Sequence, residues 1–283
     1  MLVLSRLIAC VSALVVLMGA SVALAAMGYP TPWQTGFQDA GSPVMKNIIW
    51  FHRLLLIVIT LIAAFVLALL VWVMVRFNQR THPTPSRTTH RTSLEVAWTV
   101  IPIAILVFIA VPSFRLLFLE QNIPAADITV KATGKQWYWS YGYPDQGKIE
   151  FDSLMIRDKD LKADQPRLLS VDNDLVVPVN KVVRVQVTGS DVIHSFAVPS
   201  FGIKIDAIPG RLNETWFKAT KEGIYYGQCS ELCGKNHAYM PIALRVVSDS
   251  EFNGWLEEAK KKYARGDDAA PAAFAARGSA KIE

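Results

Sequence analysis

Residues 54–75 read LLLIVITLIAAFVLALLVWVMV, a run of 22 residues without a charged side chain. At a rise of about 1.5 Å per residue, a helix of this length spans about 33 Å, enough to cross a hydrocarbon core of about 30 Å. The run therefore predicts a membrane-spanning helix, and the rest of the chain is interpreted relative to it.

A second apolar stretch follows at Val96–Phe114 and continues past Arg115 to Leu119. It contains Pro102 and Pro112, which a membrane helix tolerates because neighbouring groups satisfy the freed carbonyls. The two helices form a hairpin. Its loop is strongly basic, which places the loop in the cytoplasm and the C-terminal part of the chain outside. The charged residues of the loop region are Arg76, Arg80, Arg87, Arg91 and Glu95.

The charge distribution excludes nucleic-acid binding as the default function. The whole chain of 283 residues has a formal charge of +5, a pI near 9.1 and 52% hydrophobic residues. Residues 120–283, however, carry 21 Lys and Arg against 22 Asp and Glu, whereas residues 1–119 carry 8 against 2. The basic excess thus belongs to the membrane-flanking half, and the outer part has no basic footprint for a nucleic acid.

The N-terminus has the layout of a secretory signal peptide, with Arg6, an apolar run from Leu7 to Met18 and the small-residue sequence Ala23-Leu24-Ala25. An uncleaved first membrane helix is the alternative.

Ser248 and Glu251 form a capping box that starts a closing helix. We therefore divide the chain into a signal peptide at 1–26, a connector at 27–47, a hairpin at 48–119, a β domain at 120–248, a helix at 249–264 and a disordered tail at 265–283.

The outer region is predicted to be all-β, because short runs rich in Val, Ile, Thr and aromatic residues alternate with Gly, Pro, Asn and Asp. Their spacing is typical of a compact Greek-key β domain, either a sandwich or a small barrel. The predicted strands are Ile128–Ala132, Leu168–Val171, Val182–Thr188, Ser195–Val198, Glu214–Lys218 and Ile242–Val247.

Residues 227–240, GQCSELCGKNHAYM, carry the chemistry of the chain. They place Cys229, Cys233, His237 and Met240 in the order C-x3-C-x3-H-x2-M, and thiolate, imidazole and thioether together favour copper. His194, at the start of a predicted strand, supplies a second imidazole. Two thiols and two imidazoles can hold two metal ions if both thiolates bridge, with Met240 and a backbone carbonyl as weak outer ligands.

Two other readings of this loop remain open from the residues alone. The two cysteines could form a disulfide in an oxidising compartment, although that explains neither His237 nor Met240. A structural zinc site could use Cys229, Cys233, His237 and His194, but Met240 argues against it. A metal site with no open position favours electron relay over bond-making chemistry.

The chain resembles subunit II of the haem-copper cytochrome c oxidases, over about residues 45–260. The motifs are QWYWSY at 136–141, VDN at 171–173, HSFAVPS at 194–200, DAIPGR at 206–211 and the cysteine loop. The resemblance implies a cupredoxin-like Greek-key β-barrel after two transmembrane helices. It also implies a dinuclear copper centre, with bridging Cys229 and Cys233, with His194 and His237 as ligands of one copper each, and with Met240 and the Glu231 carbonyl as further ligands.

Other roles follow from the same resemblance. The Glu231 side chain is expected to bind magnesium shared with subunit I, and Trp137 to accept electrons from cytochrome c. Glu95 is either the entrance of a proton path or only the end of a capping box begun by Thr92.

The implied protein is an electron-entry subunit of a proton-pumping terminal oxidase in the bacterial inner membrane, with its copper domain in the periplasm. The expected partners are subunit I, other oxidase subunits, cytochrome c and the lipid membrane, but no nucleic acid. The alternative is a membrane-anchored copper-delivery protein. The quinol-oxidising relatives lack the copper ligands that are all present here.

Overall fold

The computed structural model describes residues 28–84, 86–147 and 149–263. The predicted signal peptide and C-terminal tail lie outside these residues. Two long helices come first, α1 at Pro43–Arg76 and α2 at Thr92–Gln121. The most apolar 18-residue stretch of each helix has a mean hydropathy of 3.3 in α1 and 2.4 in α2. No residue of these two stretches is buried inside the structure. Side chains this apolar need a non-aqueous surrounding, so the predicted transmembrane hairpin is confirmed.

Helix α1 begins at Pro43, earlier than the predicted connector at 27–47 allows. The Ser42 hydroxyl accepts a hydrogen bond from the Met45 amide at 3.0 Å and donates one to the Phe201 carbonyl at 2.7 Å. A serine N-cap followed by proline in the first turn is a strong helix start. Because Ser42 also bonds to the outer domain, the start of the helix is fixed to that domain.

Ten strands form the outer domain, and a closing helix follows them. The strands are β1 (Ile128–Lys135), β2 (Tyr138–Tyr143), β3 (Ile149–Ser153), β4 (Leu175–Pro178), β5 (Val182–Gly189), β6 (His194–Val198), β7 (Ile203–Ala207), β8 (Asn213–Lys218), β9 (Gly223–Cys229) and β10 (Pro241–Val247), and the closing helix is α3 (Asp249–Tyr263). The first sheet has the order β3-β2-β1-β5-β8 and the second the order β4-β10-β9-β6-β7. Two facing sheets after a helical hairpin give the expected cupredoxin-like arrangement.

The predicted strand at Leu168–Val171 is wrong. Leu168 has a φ of 65°, a left-handed conformation that a β-strand does not accommodate. Only Val171 makes a bridge, to Met155. The neighbouring Leu169 and Ser170 amides both donate to the Pro166 carbonyl, so this segment is a turn.

The core lies between the two sheets and is continuous with the metal-ligand candidates. Trp139, Tyr141 and Tyr143 lie on one face of β2 and are fully buried. Helix α3 covers one end of this core with Phe252 and Leu256. It starts with the predicted capping box, because the Glu251 carboxylate accepts from the Ser248 amide at 3.1 Å and the Ser248 hydroxyl accepts from the Glu251 amide at 3.3 Å.

Tyr143 links the two sheets. Its hydroxyl donates to the Val176 carbonyl at 2.7 Å and accepts from the Val176 amide at 3.0 Å. Val176 belongs to β4, the edge strand of the second sheet. Tyr143 thereby satisfies backbone groups that no neighbouring strand pairs on that side. Tyr141, equally buried, has a hydroxyl without a hydrogen-bond partner among the described residues.

These two tyrosines give a matched test of the inter-sheet link. Tyr143→Phe should lower the free energy of unfolding of the metal-free outer domain by about 1–3 kcal/mol, because it leaves buried backbone groups unpaired. Tyr141→Phe removes an unpaired hydroxyl and should change it by less than about 0.5 kcal/mol, or increase it. Urea unfolding of both variants measures the difference, and equal losses would contradict the assignment.

Candidate metal centre

The candidate ligands come from two neighbouring strands and one loop. His194 is the first residue of β6, and Cys229 is the last residue of β9. These strands are antiparallel neighbours, with Phe196 opposite Cys229. The loop between β9 and β10 then carries Cys233, His237 and Met240. The sheet therefore brings His194 close to Cys229, which is 35 residues away in sequence and directly precedes the loop.

The side-chain donor atoms converge in one place. The Cys229 and Cys233 sulfurs are 3.8 Å apart. His194 Nδ1 lies 3.9 Å from the Cys229 sulfur, and His237 Nδ1 lies 3.5 Å from the Cys233 sulfur. The Met240 sulfur is 3.5 Å from that of Cys233. Among the described residues, the donor atoms of His194, Cys229 and Cys233 all lie within 4.8 Å of one another, close enough to hold a metal ion.

Both cysteines are free, so the disulfide reading of the loop is wrong. Most of the donor set is shielded from water: His194 is fully buried, and Cys229, Cys233 and Met240 are 6%, 4% and 1% exposed. His237 is half-buried. The loop carbonyl of Glu231 lies 3.3 Å from the Cys229 sulfur, whereas the Glu231 side chain is exposed. This surrounding suits a soft ion in a closed site.

A hydrogen-bonded frame around the β1–β2 turn holds the ligand segments. Asp191 Oδ1 lies 2.8 Å from His194 Nε2, and Asp191 Oδ2 accepts from the Gln136 amide at 2.7 Å. The Gln136 side chain donates to the Cys233 carbonyl at 2.9 Å, and the Trp137 indole donates to the same carbonyl at 3.2 Å. One turn therefore fixes both a histidine and a cysteine of the cluster, as outer partners of metal ligands do.

A second support lies in the core behind the cluster. The buried Trp139 indole donates to the Met240 carbonyl at 3.2 Å, and its ring packs edge-on against His194 at 6.1 Å between centroids. Gly134 is the cross-strand partner of Trp139, and a Cβ there would lie 2.8 Å from the His194 ring and 2.9 Å from His194 Cβ. His194 therefore has room only because position 134 has no side chain.

The electrostatics of the metal-free cluster favour one thiolate, not two. Burial alone would raise the pKa of the Cys229 thiol, but hydrogen bonds with His194 and with the Glu231 and Ser195 backbones lower its pKa to about 6. Burial and the nearby Cys229 charge raise the pKa of Cys233 to about 12. Burial would lower the pKa of His194, but its bonds to Cys229 and Asp191 raise it. Two thiolates at this separation need positive charge beside them, which a metal supplies.

The remaining site predictions lie apart from the cluster. Glu95 is in the first turn of α2, which extends for 30 residues before the outer domain begins. Its carboxylate accepts from the Arg91 amide at 3.1 Å. The predicted capping box differs in one respect, because the N-cap is Arg91 and Thr92 is already helical. Glu95 thus does cap this helix, at the end of the hairpin away from the cluster.

Two models of one protein family match the sequence of this chain. The family model described as "Cytochrome C oxidase subunit II, periplasmic domain" matches residues 128–247, and the model for the transmembrane domain of the same subunit matches residues 30–116. The chain belongs to the cytochrome c oxidase subunit II family. It is therefore a subunit of an oxidoreductase, a membrane protein with a periplasmic domain, and part of an assembly with other oxidase subunits.

Individual relatives agree with the family models. A "Probable cytochrome c oxidase subunit 2" of Rickettsia bellii (strain RML369-C) is 56% identical over 244 residues, which cover 86% of this chain and 91% of the relative. The cytochrome c oxidase subunit 2 of Cereibacter sphaeroides is 48% identical over 252 residues, covering 83% of each. The solved periplasmic domain of subunit II of cytochrome oxidase from Bradyrhizobium japonicum is 73% identical, covers 50% of this chain and all of its own, and has a TM-score of 0.48.

Sequence reasoning missed the residues that hold the subunit II cluster in place. In the sequence Gln136 stands out only as the first residue of the QWYWSY motif, and Asp191 belongs to no motif. Asp191 precedes His194 by three residues, which is the one local signal for their contact. The bond from Gln136 to Cys233 joins residues that are 97 positions apart, and no single segment of sequence indicates it.

The close approach of Gly134 to His194 gives a second matched test. Gly134→Ala should displace the imidazole and lower the free energy of unfolding of the metal-free outer domain by about 1–3 kcal/mol, the usual effect of overpacking. Gly142→Ala on the neighbouring strand is the control, since its Cβ would meet its nearest atoms only at 3.7 and 3.8 Å. Equal stability of the two variants in urea unfolding would contradict this packing.

Proposed function

We propose that this chain is the electron-entry subunit of a respiratory cytochrome c oxidase, accepting electrons from cytochrome c at a dinuclear copper centre. The observation that carries the proposal is the convergence of two free cysteines with imidazole and thioether groups in one buried cluster. The electrons then pass to haem in subunit I, where oxygen is reduced. The other partners are further oxidase subunits and the lipid membrane.

The donor set fits copper better than zinc. Structural zinc sites are four-coordinate, with thiolate and imidazole ligands and no thioether. Here the Met240 sulfur lies buried beside Cys233, and a thioether is a ligand that favours copper. The donors also fall into two sets, since His194 is beside Cys229 and His237 is beside Cys233. We therefore propose that His194 and His237 would each hold one of two copper ions, that Cys229 and Cys233 would be shared between them, and that Met240 and the Glu231 carbonyl would be weaker ligands.

When bound, such a copper pair would supply one-electron redox chemistry with the charge shared between two centres. The residues of this chain supply a fixed surrounding for it. Asp191 holds His194, and Gln136 holds the Cys233 backbone, each by a direct hydrogen bond. Trp139 closes the buried side and holds the Met240 backbone. A cavity that changes little on oxidation or reduction keeps the cost of reorganisation low, as electron transfer requires.

Trp137 is the proposed point of electron entry. It is half-buried, and its indole donates a hydrogen bond at 3.2 Å to the carbonyl of Cys233, a proposed copper ligand. Its ring also lies against Gly234 of the ligand loop. The side chain thus connects a docking surface for cytochrome c with Cys233 through one hydrogen bond.

The two remaining acids receive roles that depend on subunit I. The Glu231 side chain is exposed, outside the buried cluster. It is therefore available to bind magnesium shared with that subunit. Glu95 is half-buried at the loop end of the hairpin, on the predicted cytoplasmic side, where a proton path into subunit I would begin. In a bacterium this places the protein in the inner membrane.

A copper-delivery protein is the alternative function, and the burial of the ligands disfavours it. A carrier needs exposed donor atoms that exchange metal with a partner. Here His194, Cys229, Cys233 and Met240 are all at most 6% exposed and are held by the core or by the β1–β2 turn. Such a site keeps its metal.

Substitution of Trp137 tests the entry role in the assembled oxidase. Trp137→Phe should lower the rate constant of electron transfer from reduced cytochrome c by about tenfold or more, equal to about 1.4 kcal/mol in the barrier. Copper content should not change, since Trp137 is not a ligand. Tyr138→Phe, at the next residue and the first of β2, is the control and should keep the rate. Stopped-flow kinetics measures both, and a normal rate in Trp137→Phe would contradict the assignment.

A further inference from the structure

The connector before α1 is a loop whose two ends are fixed to the outer domain. The Tyr226 amide donates to the Gly28 carbonyl at 2.8 Å, and the Gly41 amide donates to the Ser200 carbonyl at 2.7 Å. Between them, the Ser200 hydroxyl donates to the Gln38 side chain at 2.8 Å. The middle of the loop makes hydrogen bonds within itself. We call residues 31–37 the aromatic loop.

The aromatic loop is held in shape by Gln34. Its side-chain oxygen accepts from the Thr31 amide at 3.0 Å, and its side-chain nitrogen donates to the Phe37 carbonyl at 2.8 Å. This bonding leaves two large apolar side chains uncovered: Trp33 is 97% exposed and Phe37 is 47% exposed. Trp33 also has a φ of 64°, a left-handed conformation that a bulky residue adopts only under constraint. A tryptophan ring held in this exposed position would be stabilised by contact with an apolar surrounding.

The position of Phe37 relates this loop to the membrane. Its ring packs edge-on against that of His52, with the centroids 4.8 Å apart. His52 stands two residues before Leu54, where the uncharged run of α1 begins, and thus about 3 Å above it along the helix axis. The headgroup layer on each side of a bilayer is about 5–8 Å deep. Phe37 therefore lies at the level of the outer headgroups.

Composition and neighbours agree with this level. Residues 28–38 have no charged side chain, although they lie on the surface of a domain rich in charge. Trp50, in the same part of α1, is 57% exposed. Tryptophan and other aromatic residues concentrate at the water–lipid boundary, where an apolar ring and a polar edge are both accommodated.

We propose that the aromatic loop is an interfacial anchor, with Trp33 and Phe37 inserted into the headgroup layer of the outer leaflet. The occupant of this surface is phospholipid. The anchor adds a second attachment of the outer domain to the bilayer, beside the two membrane helices. The connector that carries the loop is fixed to the domain at Gly41 and Ser42, and Phe37 contacts α1 at His52. The anchor therefore restrains the tilt of the domain relative to the membrane.

The test measures the surroundings of the loop in the intact oxidase. Trp33→Cys and Phe37→Cys are each labelled with a nitroxide, and the assembled oxidase is placed in nanodiscs of phosphatidylethanolamine and phosphatidylglycerol. Electron paramagnetic resonance power saturation then compares collisions with oxygen, which partitions into lipid, and with a water-soluble nickel chelate. Unsubstituted oxidase taken through the same labelling corrects for other thiols.

Leu154→Cys is the aqueous reference. Leu154 is 38% exposed and directly follows β3. Strands β3 and β8 are the two edges of the first sheet. Strand β8 is the edge that contacts the end of α2, through the hydrogen bond from the Trp216 indole to the Leu119 carbonyl. The ratio of oxygen to nickel collisions should be severalfold higher at positions 33 and 37 than at 154. A ratio equal to that at 154 would show that the loop lies in water. Labels that neither reagent reaches would show that another subunit covers it, and either result overturns the proposal.

Discussion

The charge of two sulfur atoms held 3.8 Å apart is the constraint on which the function of this structure depends. Burial and the charge of Cys229 together keep Cys233 protonated in the metal-free protein. Both thiols can ionise only when cations lie beside them, so binding of metal and ionisation of the pair are one event. Hydrogen bonds with His194 and the nearby backbone stabilise the Cys229 thiolate, and a metal supplies the positive charge that a second buried thiolate at Cys233 needs.

The fold is arranged to make this cluster rigid. Neighbouring strands β6 and β9 place His194 and Cys229, and the short β9–β10 loop returns the other three donors to the same point. The β1–β2 turn, from the other sheet, contacts both ligand segments through Gln136 and, by way of Asp191, His194. Because the same turn carries Trp137, the proposed entry point and the ligands belong to one hydrogen-bonded unit.

The parts of the structure that depend on local pattern were predictable. Uncharged runs predicted the hairpin, and the spacing within residues 227–240 brought together the donors that the structure also brings together. The parts that depend on distant pairing were not. The parallel pairing of β1 with β5 leaves no trace in either segment. Leu168–Val171 has the composition of a strand but turns at Leu168. The α1 boundary depends on Ser42, whose contact with Phe201 spans 159 positions.

The most direct test of this account is the metal content and electron paramagnetic resonance spectrum of the oxidised protein in its assembled oxidase. If Cys229 and Cys233 bridge a pair of ions, each chain should contain two coppers, and the unpaired electron should couple equally to both copper nuclei. Substitution of either cysteine by serine should then remove that signal. A single copper with an isolated-ion spectrum, or zinc in its place, would contradict the account.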